Sequence, residues 1–395
     1  MKKKVIVSGT GCCLVDRLYN NVSFSSEAFA KYSSKIRGDG GLNPGHLVLM
    51  EEFEDFSGKD FHEVLKALTN DKLPDVINIG GPCIVALIHA AQMVKDEDCE
   101  INFYGCYGDD ENGNFLASSL KKTPVKLDNY NRIGHLTPST DVLSDPAFNS
   151  GHGERTFINS IGSAWNYSPD YLDDHFFSSD IVVFGGTALV PQIHEHLTEL
   201  LQKSKEKGCI TVVNTVFDFV NEKAKPHEKW PLGKSDDSYK NTDLLITDFD
   251  EALRLSGKNN MEDAMRFFIE NEIGAAIITN GAKNVWTYAN GETFEPIVTK
   301  ELPVSQAISR ELQSGRYNGD TTGCGDNFVG GVVSSMVWQL QQGKEKLDLT
   351  EACVMGIVSG GYACLYLGGT YFEKNKGEKY AQVMPYLKQY KQQIK

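Results

Sequence analysis

Short apolar runs and longer stretches of helical periodicity take turns along this chain, and few architectures accommodate that alternation. Residues 5–7, 76–79, 101–104, 181–184, 210–213, 244–246 and 276–279 are mostly apolar and bounded by glycine or polar residues, as strands buried on both faces should be. Between them, 84–94, 192–207, 248–256 and 261–271 repeat apolar residues at intervals of three and four, the spacing of one helix face. Strand and helix in alternation predict an α/β fold, a parallel sheet with helices on both faces. Functional groups in such folds gather at the carboxyl ends of the strands.

Two regions break the pattern. From Arg17 to about Asp75 the chain reads as irregular, with Gly38-Asp39-Gly40-Gly41 and Asn43-Pro44-Gly45 as turn signals, and 125–167 reads as short hairpin-like pieces. Both are expected to build a small β lid over the site. No linker, low-complexity tract or internal repeat divides the chain, so residues 1–395 are expected to form one domain. A hydrophobic content of 41% supplies its core. The formal net charge of -14 repels polyanions and argues against general nucleic-acid binding. The nine cysteines stand singly apart from Cys12-Cys13, which signals neither a zinc site nor a disulfide framework, and reduced thiols in a cytoplasmic protein are expected. The first apolar run stops at Ser8-Gly9-Thr10-Gly11, too short for a signal peptide. No stretch approaches the roughly 18 to 20 apolar residues that span a bilayer, so no membrane is expected as a partner. The tail from Tyr371, rich in Lys, Gln and Tyr, reads as a surface helix with solvated charges.

The segment 320–326, Asp-Thr-Thr-Gly-Cys-Gly-Asp, runs into the apolar stretch Asn327-Phe328-Val329-Gly330-Gly331. Gly323 and Gly325, flanking Cys324, let several N–H groups point one way at the start of a helix, an arrangement that binds an anion. Asp326 then stands beside that pocket, where it could take a proton from an attacking hydroxyl while the N–H groups hold a phosphoryl group in flight. The spacing equally allows an ordinary capping turn with Asp326 as a solvated first-turn acid. Other nucleotide motifs fail. Gly233-Lys234-Ser235 lacks the first P-loop glycine, with Glu228 in its place, and Gly9-Thr10-Gly11 continues to Leu14 where a dinucleotide turn needs glycine.

The order of motifs resembles the ribokinase-like, or PfkB-type, carbohydrate and nucleoside kinases. Their closing signature, Asp-Thr-x-Gly-Ala-Gly-Asp, differs from 320–326 only at Cys324. Upstream, Val5-Ile6-Val7-Ser8-Gly9 followed by Asp16 resembles the first strand and sugar-binding aspartate, and Gly80-Gly81 the substrate turn. Residues 105–113 resemble the Gly-x-x-Gly-x-Asp-x-x-Gly run, Gly153-Glu154-Arg155-Thr156 the Gly-Glu-Arg-Thr piece, 248–257 the Asn-x-x-Glu helix start, and Thr279-Asn280-Gly281-Ala282-Lys283 the nucleotide loop. The resemblance implies a three-layer α/β/α fold with a mostly parallel central sheet, and transfer of the γ-phosphoryl of ATP to a sugar or nucleoside hydroxyl. It makes Asp326 the base and the N–H groups of Gly323, Cys324 and Gly325 the anion hole. Asp16, Gly80 and Gly81 would face the acceptor, and Asp248, Glu251, Thr279, Gly281 and Thr322 the nucleotide; Arg155 could clamp the acceptor or the phosphoryl group from the cover strands, and Asn43 could add a contact to the acceptor. Glu251 would hold Mg2+ through water, with K+ as a further candidate ion and cover-strand pairing as a route to a homodimer.

Each of these side chains has a plainer role open to it. Asp16 could cap a turn, Arg155 could pair with Glu154, and Lys283 reads as a solvated loop lysine. Cys324 at a helix start is a candidate reactive thiol. Three positions depart from the family pattern. Val85, within Pro82-Cys83-Ile84-Val85, stands where an asparagine would contact a sugar; Asp248 replaces asparagine; Asn284 replaces the loop's last glycine, where a positive φ is expected. Asp39 and Asn43 could supply the missing polar contact. The segment Asn214-Thr215 is closer to the adenosine-kinase branch, which keeps a nucleoside acceptor open, and the departures also allow a sugar-binding regulatory protein with weak turnover.

Overall fold

The computed structural model describes residues 4–36, 38–94, 99–151, 153–317 and 319–395. Nine strands form one sheet: β1 (Val5–Gly11), β5 (Cys99–Tyr107), β6 (Lys126–Arg132), β9 (Ile181–Gly185), β10 (Ile210–Asn214), β11 (Leu244–Asp248), β12 (Ala275–Thr279), β13 (Val285–Ala289) and β14 (Ile297–Leu302). Five others, β2 (Leu14–Asn20), β3 (Leu47–Leu49), β4 (Val76–Gly80), β7 (Ser139–Asp145) and β8 (Glu154–Ser160), form a second. The large sheet runs β14-β13-β12-β11-β10-β9-β1-β5-β6. It is parallel except where β13 and β14 pair antiparallel at one edge. This is the α/β/α architecture that the alternation predicts.

The strands divide their side chains between the two helical layers residue by residue. Ile181 and Val183 of β9 join Val5, Val7 and the Pro82–Val94, Cys324–Gln341 and Leu349–Ala363 helices in one core. Val182 and Phe184 enter a second core with Leu201, Leu255 and Phe268 on the opposite face. That alternation is what a doubly covered strand requires, since successive residues point to opposite faces.

The smaller sheet, ordered β3-β8-β7-β2-β4, corrects several sequence expectations. The 76–79 run is a strand, but β4 pairs antiparallel with β2 in the small sheet and not with the core. An apolar run discloses a strand, not its sheet. The stretch 17–75 contains helices at Glu27–Tyr32, Met50–Ser57 and Phe61–Thr69, packed on a third core with Phe29, Phe53, Phe61 and Leu143. Within 125–167, β6 belongs to the large sheet beside β5. The 192–207 pattern is two helices, Pro191–Glu195 and Leu197–Glu206, because His196 leaves helical geometry at ψ 10. Gly9 and Gly11 are not a turn: β1 continues through them, and a Cβ on Gly11 would stand 2.1 Å from the Gly185 carbonyl oxygen.

Candidate active site

Strands β1 and β2 follow one another with only Cys12 and Cys13 between, carrying the chain directly from the large sheet into the small one. Asp16, on β2, is buried at 7% exposure. Its carboxylate lies over Gly80 of β4, where a Cβ would stand 2.1 Å from Oδ2. Gly81, at φ +111, passes the Cys12 carbonyl, which a Cβ would approach to 2.2 Å. The two glycines therefore bring β4 against the site by having no side chains.

The 320–326 segment arrives from the opposite side. Asp320 accepts from the backbone N–H and the hydroxyl of Thr322, each at 3.0 Å, which closes the turn. Gly323 is left-handed at φ +71 and precedes the Cys324–Gln341 helix. A Cβ on Gly323 would stand 2.4 Å from the Gly369 Cα, whereas one on Gly325 would meet nothing within 4 Å. The turn is pinned behind and open in front. The N–H groups at the head of the helix carry its positive dipole end, which suits them to an anion, with that of Cys324 also donating to the Thr321 carbonyl at 3.3 Å.

Arg155, from β8, joins the two sides: its Nη1 donates to Thr322 Oγ1 at 3.2 Å, while its guanidinium rests 5.2 Å from the centre of the Phe157 ring. Glu154 Oε1 accepts the backbone N–H of Arg155 at 2.9 Å. The carboxylates feel one another. Burial, and then the charges of Asp326 and Asp320, push Asp16 up to about 8, with Arg155 opposing. Burial raises Asp326 to about 6, again against Arg155. The couplings bring Asp326, its carboxyl raised toward neutral pH, together with Asp16 and Arg155.

Cys324 faces Cys364 with the sulfurs 3.1 Å apart. The hydrogen bond shared with Cys364, with burial, keeps the Cys324 proton on well above the usual range. This speaks against a nucleophilic Cys324. None of the nine cysteines forms a disulfide bond.

The remaining residues fall in two groups. Asp248 ends β11 and forms a reciprocal capping box with Glu251. The Glu251 carboxylate also accepts from the Thr215 and Thr247 hydroxyls. Burial and Asp248 push Glu251 up to about 8. Thr279 lies beside Asp248 in the β11–β12 register, and Gly281 is left-handed at φ +53 with open space where a side chain would be. Asn284 is not left-handed; it donates to Glu301 at 2.8 Å. Among the described residues, no three His, Cys, Asp or Glu side chains converge as a metal cage. On the other side, Asn43 reaches His46 Nδ1 at 3.2 Å, and both line a cavity of about 70 Å³ with Phe217, Glu222 and Lys223. Asp39 is spent on its own loop, accepting from the N–H groups of Lys35, Ile36 and Gly41. Val85 is buried against Gly369. Asp110, in the 105–113 run, anchors the cover by accepting from Thr137 N–H at 2.9 Å. The sequence did not single out His46 and Phe217, which line the cavity beside Asn43.

The sequence matches the pfkB family carbohydrate kinases over residues 78–375. The chain belongs to the pfkB family of carbohydrate kinases. It is a phosphotransferase with an alcohol group as acceptor. Solved structures extend the likeness of fold beyond residues 78–375, each covering 91% of the chain or more. Adenosine kinase from Anopheles gambiae, in complex with P1,P4-di(adenosine-5) tetraphosphate, is 19% identical with TM-score 0.65, covering 91% of this chain and 95% of that one. Adenosine kinase from Schistosoma mansoni, in complex with 2-fluoroadenosine, is 16% identical with TM-score 0.66, covering 93% and 97%. Ribokinase from Thermotoga maritima is 17% identical with TM-score 0.60, covering 97% and 99%. No curated protein matches the sequence. Among the described residues, no helix is long and apolar enough to cross a membrane.

Proposed function

We propose that this pfkB kinase, acting in the cytoplasm, transfers the γ-phosphoryl of ATP to a hydroxyl of a sugar or nucleoside bound between Asp16 and Asp326. The observation that carries the reading is the convergence of Asp326, Asp16 and Arg155 at the open face of the Gly323 turn. Asp16 would accept two acceptor hydroxyls and present a third to Asp326. Asp326 would remove its proton as the bond to phosphorus forms, and the N–H groups of Gly323, Cys324 and Gly325 would hold the charge of the transferred group. Arg155, already at Thr322, would neutralise that charge from the cover side. Closure of the small sheet would keep water from competing as acceptor. The His46 and Phe217 rings, in contact with each other at 5.5 Å on the wall of the cavity beside Asn43, offer a flat group a surface to stack on, which keeps a nucleoside open as the acceptor beside a simple sugar.

Glu251 and Asp248 offer hard oxygen donors at a strand end, and a carboxyl that burial holds near 8 is one that a nearby cation would ionise. Mg2+ held there through water would neutralise ATP phosphate charge. Glu251→Gln is expected to raise the magnesium concentration for half-maximal turnover on the order of tenfold; an unchanged requirement would remove Glu251 from the metal's surroundings.

The test of the whole reading is ATP consumption over ribose, other sugars and adenosine, with magnesium, and with potassium present and absent. At least one acceptor should raise consumption well above the blank. Tight acceptor binding without consumption would instead make the chain a sugar- or nucleoside-binding regulator.

A further inference from the structure

The Glu378–Gln393 helix does not keep all its charges in solvent. Lys379, in its first turn, is 1% exposed. Its Nζ donates to Asn327 Oδ1 at 2.8 Å and to the Tyr366 hydroxyl at 3.3 Å, and lies 5.5 and 5.8 Å from the Tyr366 and Tyr371 ring centres. Glu373 meets the Lys379 backbone N–H at 2.8 Å. Lysine is almost never this buried without a close counter-ion, because stripping an ammonium of water is costly. Burial brings its pKa down to about 7. Such an expense asks what the ammonium holds in place.

It holds the residue after Asp326. The Asn327 amide donates through Nδ2 to the Gly323 carbonyl and to the Gly369 carbonyl, both at 2.8 Å. These are the two backbone segments that press together behind the turn, where Gly323 has no room for a Cβ. An amide can serve two carbonyls only if its NH2 end faces them. Lys379 and Tyr366 decide that orientation, since an ammonium is donor-only and obliges the amide oxygen to turn toward it, with the Tyr366 hydroxyl donating to the same oxygen at 3.1 Å.

We propose that Lys379 is a positioning residue for phosphoryl transfer: acting through Asn327, it fixes the Gly323 and Gly369 carbonyls and so the direction in which the N–H groups of 323–325 point. It touches neither acceptor nor nucleotide. The proposal rests on the reading of those N–H groups as the anion hole. Small misalignments there are expensive, because donors stabilise a transition state only when aimed at the developing charge.

The experiment compares wild type, Lys379→Met, Asn327→Ala and the double variant in steady-state turnover of ATP with adenosine and with ribose, alongside Asp326→Asn. Lys379→Met is expected to lower kcat at least tenfold with both KM values within threefold, and to melt no lower than wild type, having shed a buried charge. A merely architectural lysine would instead lower the melting temperature and leave kcat per folded molecule intact. The double variant should be no slower than Asn327→Ala alone. Wild-type kcat in Lys379→Met, or losses that multiply in the double variant, overturns the proposal. Should Lys379→Met fail to fold, Asn327→Asp keeps a partner for the ammonium but loses the amide donors, and wild-type kcat there overturns it equally. If wild type turns over neither acceptor, or Asp326→Asn retains full turnover, the kinase-site reading itself fails and this one with it.

Discussion

Asp326→Asn is expected to lower kcat on the order of 10³-fold while leaving ATP and acceptor affinity within a few-fold, the loss typical of a missing general base. Asparagine keeps the shape and cannot accept the proton. Burial lifts the Asp326 carboxyl from 3.8 to about 6, with Arg155 opposing, so wild-type kcat/KM should rise with pH to a plateau through a midpoint near 6, and the residual activity of the variant should lack that limb. The stability effect has the opposite sense. The folded protein holds this proton to higher pH than the unfolded chain, so folding stability attributable to Asp326 falls as pH rises from about 4 to 6 and stays reduced above it. The asparagine variant should therefore melt no lower than wild type at pH 7, with any advantage shrinking toward pH 4. Loss of the charge should also bring the Asp16 carboxyl below its value of about 8, since after burial the Asp326 charge is the largest influence holding it there. A variant with wild-type turnover, or an unchanged acid limb in what turnover remains, would remove Asp326 from the chemistry.

What the sequence disclosed about the site is local, and what it concealed is not. Gly323, Cys324, Gly325 and Asp326 lie within four residues, so the turn, its open front and its acid could be read together. Asp16 and Gly80 each stood out beside a strand, but nothing in the sequence says that the Asp16 carboxylate lies over Gly80. That follows from β2 and β4 pairing antiparallel in a sheet of their own. Lys379, set among Lys, Gln and Tyr, has the composition of a solvated helix face; its burial comes from Asn327, 52 positions earlier. The helices within 17–75 did leave a trace: Asp60 caps Phe61–Thr69 and Asn70 ends it left-handed, a start and stop signal obscured by the glycine turns nearby. Strand β6, Lys126–Arg132, sits at a sheet edge and carries polar residues, so no apolar run marked it.

Gly80→Ala is expected to disable acceptor binding through Asp16 and not through the backbone. Gly80 is outside the left-handed region, so alanine suits its conformation, but the added Cβ would stand 2.1, 2.4 and 2.6 Å from Oδ2, Cγ and Oδ1 of Asp16. The carboxylate must leave. Two hydroxyl hydrogen bonds to a carboxyl held near 8 are worth about 2 kcal/mol, on the order of 30-fold in affinity, so both Gly80→Ala and Asp16→Ala should raise the acceptor KM by roughly that factor with little change in the KM for ATP. The two effects share one cause, and the cycle should show it: with alanine already at 16, alanine at 80 finds the space vacated and adds no further loss. Independent, multiplying losses would mean that Gly80 serves the acceptor by some other route, such as direct approach of its backbone. An unchanged KM in Asp16→Ala would make that carboxylate a capping group, held near 8 by its neighbours and answering to none of the substrate's hydroxyls.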